Sequence, residues 1–142
     1  IMIISLPLLG INTSSSSGAL NGLDYLGILV WSIGFIFEAG GDYQLMHFKQ
    51  NPKNKGKILD IGFWKYSRHP NYFGDAAVWW SYAIFSIASG CYWQIIGSII
   101  MTLLILKVSG VTLLEKSLKD TKPLYRDYIK QTSSFLPWFP KK

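Results

Sequence analysis

Residues 76–106 read 76-AAVWWSYAIFSIASGCYWQIIGSIIMTLLIL-106, thirty-one residues without a formal charge. As one helix this stretch would be roughly 46 Å long at ~1.5 Å per residue, well beyond a ~30 Å hydrocarbon core. Glycine is a natural interruption, so Ser89-Gly90 divides it into two helices. The rest of the chain agrees with a membrane setting. Only 15% of its 142 residues are charged, against about 25% in soluble domains, and its mean hydropathy is +0.22. The expected class is all-α: a polytopic, integral membrane helical domain.

The charges outside that stretch set an orientation. Six of the fourteen Lys and Arg fall between Lys49 and Arg68, and the other eight between Lys107 and Lys142. The loop from Asn12 to Asn21 and the turn at Gly90 have none. The positive-inside rule puts both basic blocks on the cytoplasmic side, and two spans between them return the chain to one face. The basic residues flank spans and form no separate soluble basic domain, which argues against nucleic acid as a partner. Plasma membrane and endoplasmic reticulum both suit this pattern. The lone Cys91 supports no internal disulfide framework. Ile1 opens directly into an apolar run without a basic n-region, unlike an intact signal peptide. The expectation is an N-terminally truncated fragment that starts inside a span and has earlier helices as its natural partners.

Residues 1–22 then read as the end of a preceding span (1–9) and a Ser/Gly-rich loop. Asn12-Thr13-Ser14 matches a glycosylation acceptor, a pattern that chance supplies often. Residues 23–142 form the main domain, with spans near 25–40, 71–88 and 92–107 and cytoplasmic segments 41–70 and 110–142. Glu38 lies near the inner end of the first span, where a carboxylate is expensive unless it faces protein or water. The first helix continues amphipathically to Gln50, and Asn51 to Gly56 is a loop by its turn formers. Phe63, Trp64 and Tyr66 are expected at headgroup level. Pro70 suits the first position of a helix, where its missing N–H would be unpaired anyway. Beyond Gly110, Leu113, Leu114 and Leu118 make an apolar stripe, Glu115 and Lys119 an i,i+4 pair, and Asp120 to Pro123 a break. Leu124 to Gln131 form a short helix with Tyr125 and Tyr128 on one face. The tail Phe135-Leu136-Pro137-Trp138-Phe139-Pro140 is aromatic and proline-stiffened, able to lie on a membrane or to close over a pocket.

The chemistry-bearing cluster is 66-YSRHPNY-72 with Asp75. Asn71 and Asp75 share a helix face, and Arg68 and His69 precede the first turn. Helix N-terminal N–H groups and an arginine can hold phosphate, but Asp75 would repel it at close range. Asp75 better accepts hydrogen bonds from Arg68, a ribose or a carboxamide. Against this stands a purely architectural reading, with Arg68 on lipid headgroups and Tyr72 and Asp75 packing helices. Buried unpaired charge is costly, which favours a pocket. His47 and His69 lack the spacing of a helical ligand pair, and Cys91 lies at the other membrane face, so no metal site is expected. No GxGxxG strand-turn-helix pattern occurs either.

The run from Gly62 to Asp75, GFWKYSRHPNYFGD, resembles the C-terminal signature of the steroid 5-alpha-reductase-like membrane superfamily, closest to its bacterial-type branch. Asp42-Tyr43-Gln44-Leu45, Phe48-Lys49, Asn54 to Lys57, Ser109-Gly110-Val111, Glu115, Tyr125, Tyr128 and the tail fit the same branch. Together they cover about Gly40 to Lys142. The resemblance implies a cytoplasm-facing chamber for NADPH and hydride delivery to a carbon–carbon double bond of a steroid-like or other lipid acceptor. It assigns cofactor contacts to Arg68, His69, Asn71, Tyr72 and Asp75, with Asp42, Gln44, Lys57 and Trp64 as further lining. Glu115, Tyr125 and Arg126 would close the pocket from the C-terminal side. No catalytic acid is nominated, because in the characterised relatives it comes from earlier helices. Arg-His-Pro is shared more widely, including by isoprenylcysteine-type methyltransferases. S-adenosylmethionine chemistry on a lipid or prenylated substrate is therefore one alternative, and a non-enzymatic lipid-binding protein a second.

Overall fold

The computed structural model describes residues 19–109, 111, 115, 116, 118 and 125–141. The expected span end at 1–9, the loop through residue 18, Leu113, Leu114, the Glu115–Lys119 pair and the break at 120–123 lie outside the described residues. The described part is helical: α1 (Gly22–Gln50), α2 (Pro70–Ala88), α3 (Ile95–Leu103) and α4 (Tyr125–Gln131). Short 3-10 turns at Pro52–Asn54 and Gly62–Lys65 lie between α1 and α2, and a π-turn at Leu104–Ser109 continues α3.

Helix α1 starts at a capping box. Asn21 Oδ1 accepts from the Leu23 and Asp24 amides, and the Asp24 carboxylate accepts from the Asn21 amide at 2.8 Å. These bonds satisfy amides that the first turn would otherwise leave unpaired. The helix runs 29 residues, about 44 Å at ~1.5 Å per residue. Among the described residues it is the one helix long and apolar enough to cross a membrane. It exceeds a ~30 Å hydrocarbon core, so its last three turns reach past the apolar zone and carry Asp42, Gln44 and Lys49. Asn51 ends it, capping the 3-10 turn that begins at Pro52.

Helices α1 and α2 pack through glycine. Gly27, Gly34 and Gly41, seven residues apart, are the buried residues of α1. A methyl group on Gly34 would sit 2.8 Å from the Gly74 carbonyl oxygen and the Val78 amide nitrogen. The two backbones therefore touch directly, the packing that small residues permit between helices in lipid. Many apolar side chains of α1 point outward and are exposed, including Leu26, Leu29, Phe35 and Ile36.

Pro70 occupies the first turn of α2. At its far end Gly90 adopts φ +82°, the left-handed conformation that glycine takes without strain. This turn divides the uncharged stretch. Helix α3 begins at Ile95, later than the sequence suggests. It is held to α2 by Ser98 Oγ donating to the Trp79 carbonyl at 2.7 Å and by Trp80 Nε1 donating to Thr102 Oγ1 at 3.0 Å. At the opposite end of α2, Phe63, Phe37, Phe73 and Phe135 meet in series, tilted or edge-on, with centroids 4.9–6.0 Å apart. They join α1, the 3-10 turn, α2 and the C-terminal tail. Trp64 is not a headgroup anchor. It is buried, and its Nε1 donates to the Gly41 carbonyl at 3.1 Å.

Candidate functional site

The C-terminal segment folds back onto residues 64–69. The Arg68 amide donates to the Ser133 carbonyl at 2.8 Å, and the Trp138 amide to the Tyr66 carbonyl at 2.9 Å. Ser67 Oγ donates to the Phe135 carbonyl at 2.8 Å and accepts from the His69 amide at 3.1 Å. The Tyr128 hydroxyl donates to the Trp64 carbonyl. The two basic blocks of the sequence therefore meet in space.

Arg68 is the hub of that junction, with 8% of its side chain exposed. Its Nε and Nη2 donate to Glu115 Oε1 at 2.9 and 2.7 Å. Its Nη1 donates to the Ile129 carbonyl at 3.0 Å and to the Thr132 carbonyl. A guanidinium has five N–H donors, so four are engaged within the protein. His69, 1% exposed, places Nε2 3.4 Å from the same Glu115 oxygen. Burial would raise the Glu115 carboxyl, but hydrogen bonding from His69 and Arg68 and the Arg68 charge prevail, holding it below its ordinary value.

Arg68, His69, Trp64, Tyr125 and Tyr128 line a partly open cavity of about 150 Å³ together with Leu45, Phe48, Lys49, Ile58 and Leu59. On this wall the buried Tyr125 hydroxyl makes no hydrogen bond of normal geometry among the described residues, and His69 Nε2 has the long 3.4 Å contact to Glu115 Oε1. Burial of Tyr125, reinforced by the nearby Glu115 charge, pushes its phenol up to about 12, so it is a neutral donor at physiological pH. A cavity of ~150 Å³ holds one benzene-sized ring, whereas cofactor-sized sites span about 300–1,000 Å³. The described residues thus fit one ring with a polar substituent. This cavity alone is too small for a whole dinucleotide.

Beside the cavity, the Tyr72 ring stacks on His69, 5.6 Å between centroids and 6° from parallel. Asn71 Nδ2 donates to Asp42 Oδ1 at 2.8 Å across the α1–α2 crossing. Asp75, one turn further along α2, and Asp42 are charged neighbours of Glu38. Gln44 is a brace, its Oε1 accepting from the Phe63 amide at 3.0 Å. Lys57 lines a separate groove with Asp60, Lys65, Asp127 and Gln131. Arg126 is exposed on α4 and lines neither space. The structure therefore brings Arg68, His69, Glu115, Trp64, Tyr125 and Tyr72 together. Asn71, Asp42 and Asp75 form a second group at the helix crossing, and Lys57 and Arg126 lie apart.

Sequence reasoning did not single out Ser67 or the carbonyls of Ile129, Thr132 and Ser133. The serine lies inside the YSRHPNY run and was readable there, whereas a backbone acceptor leaves no mark in a sequence. Among the described residues, no three His, Cys, Asp or Glu side chains group as metal ligands.

No curated protein and no solved structure matches the chain. One family profile, described as "Protein of unknown function (DUF1295)", matches residues 1–132. That family is loosely linked to steroid-reductase-like membrane proteins. With its helical hairpin, its apolar α1 and the junction around Arg68, the chain belongs to the DUF1295 family.

Proposed function

We propose that this chain forms the cofactor-holding region of a polytopic membrane reductase, which saturates a carbon–carbon double bond in a steroid-like or other lipid acceptor using NADPH. The observation that carries this reading is the ring-sized cavity at the polar end of an apolar helix pair, where the buried Tyr125 hydroxyl lacks a well-formed hydrogen bond among the described residues and His69 Nε2 has only a long contact to Glu115. A wall of that kind suits a flat ring bearing an amide, because each unsatisfied buried polar group costs about 1–3 kcal/mol until a ligand satisfies it. NADPH, when bound, supplies the hydride.

The chain's own residues would orient and exclude. Tyr125 and His69 offer hydrogen bonds to the ring substituent, while Trp64, Leu45, Phe48 and Leu59 keep water away. Asn71, Asp75 and Asp42 present polar atoms at the helix crossing that would hold hydroxyl or amide groups of the cofactor, not its phosphates. In this reading α2 and α3 enter the membrane beside α1, and both basic blocks face the cytoplasm by the positive-inside rule.

Purified protein in lipid, given NADPH and a panel of unsaturated sterol-like acceptors, is expected to consume the cofactor's absorbance. Tyr125→Phe is expected to raise the NADPH dissociation constant about tenfold, the equivalent of one hydrogen bond of about 1.4 kcal/mol. Transfer of a labelled methyl group from S-adenosylmethionine would replace the proposal with a methyltransferase. Neither activity, with a sterol-like lipid retained, would make the protein a lipid carrier.

A further inference from the structure

The C-terminal tail leaves its largest side chains outside the fold. Leu136, Trp138 and Phe139 are 63%, 70% and 76% exposed. These residues are nevertheless held in place. Trp138 is hydrogen-bonded through its amide to the Tyr66 carbonyl, and the Lys141 amide donates to the Gln131 carbonyl, both at 2.9 Å. The Phe139 ring meets the Tyr66 ring edge-on at 6.1 Å, and Pro137 and Pro140 fix the local backbone. Exposed aromatics on a positioned backbone have already lost much of the freedom that binding would otherwise remove.

The charge around this patch has one dominant sign. Exposed Lys65 follows Trp64 in the chain, exposed Lys141 follows Pro140, and Pro140 lines one groove with Lys57 and Lys65. The carboxylates nearby are Asp60 and Asp127, and Asp127 is already paired with Lys130 at 2.9 Å. Tryptophan and phenylalanine rimmed by lysines complement the headgroup zone of an anionic bilayer. A protein partner would be expected to present carboxylates and a matching pocket, for which nothing here argues. The patch also shares the basic junction that follows the last turns of α1, which in the proposed topology emerge from the bilayer on this side.

We infer that Leu136, Trp138 and Phe139, with Lys65 and Lys141, form a platform that seats the C-terminal segment on anionic lipid. The tail then lies in the membrane interface and does not fold over the cavity. Each lysine near an anionic surface strengthens such binding by about fivefold, so two lysines give roughly a 25-fold preference over neutral lipid.

The test uses the protein in vesicles, with Cys91→Ser as background and a nitroxide at Leu136→Cys, which leaves Trp138 and Phe139 intact. Power saturation compares the label's access to oxygen and to a water-soluble nickel chelate. In vesicles containing 30% phosphatidylglycerol (an amount on the order of natural anionic content), the label is expected to be shielded from nickel and accessible to oxygen. In pure phosphatidylcholine, or with Lys65→Glu and Lys141→Glu, nickel access is expected to return. High nickel access in both lipids overturns the platform, and equal shielding in both overturns its anionic selectivity. Spin–spin broadening that grows with protein density would assign the patch to a second copy of the chain.

Discussion

Replacing Arg68 with alanine tests whether the junction is held by one buried cation. The substitution removes two N–H donors from Glu115 Oε1, at 2.9 and 2.7 Å, and two from the Ile129 and Thr132 carbonyls. Breaking a buried ion pair by deleting one partner costs about 3–5 kcal/mol, because the other charge stays behind. Glu115, 13% exposed, keeps some contact with water, which lowers that figure, and the two stranded carbonyls raise it again. The expected loss is about 4 kcal/mol, nearly a thousandfold in the folding equilibrium. Arg68→Met combined with Glu115→Leu removes both charges and keeps volume, so only the cost of the two stranded carbonyls remains, about 1–3 kcal/mol. Reversible unfolding in mixed micelles, followed by tryptophan fluorescence, measures the global term, and limited proteolysis after Lys130 reports release of the tail. A loss below about 1 kcal/mol for Arg68→Ala, or a double variant as unstable as the sum of the singles, would refute the hub.

Other outcomes follow from the same coordinates. Gly34→Ala puts a methyl 2.8 Å from backbone atoms of α2 that cannot rotate away, so the helices must part at about 1–3 kcal/mol. Gly22→Ala, with nothing within 4 Å, is the control, and equal unfolding midpoints for the two variants would contradict direct backbone contact. The pH profile has two limbs. The Glu115 carboxyl is held below 4.5 in the folded protein, so its stabilisation is present above pH 4.5 and lost as pH falls through the lower folded value. The Tyr125 phenol moves the other way, from 10.0 to about 12, so stability declines as pH rises past 10 while only the unfolded phenol ionises. Glu115→Gln should remove the acid limb, and an unchanged limb would mean that another group carries it. Lys57→Cys and Lys130→Cys, each with Cys91→Ser, are expected to react with an impermeant maleimide from the same face, since Lys57 and Gln131 line one groove. Labelling from opposite faces would break the proposed topology.

Much of the architecture was legible because it rests on local rules. Pro70 starts α2, Gly90 ends the apolar hairpin's first arm, and Tyr125 and Tyr128 share the buried face of α4. The glycine stripe 27, 34, 41 was also readable, as a seven-residue repeat of small residues on one face. The site was less legible, since its bonds join residues 47 to 68 positions apart. From the sequence, Arg68 has phosphate, Asp75 or a lipid headgroup as candidate partners, and the family resemblance gives it a cofactor contact. Four of its donors instead hold the protein's own C-terminal segment, because carbonyls there are arranged by a fold that no local pattern encodes. Trp64 reads as an interfacial anchor, yet Gly41 leaves a carbonyl open beside it, and the indole turns inward to that acceptor.

The decisive measurement is a native mass spectrum of the protein extracted in mild detergent, recorded with and without added NADPH, NADH and S-adenosylmethionine. The account predicts one NADP(H) per chain, lost or weakened in Tyr125→Phe while the fold is kept. Retention of an S-adenosyl ligand, or no nucleotide at any concentration in folded protein, would contradict it.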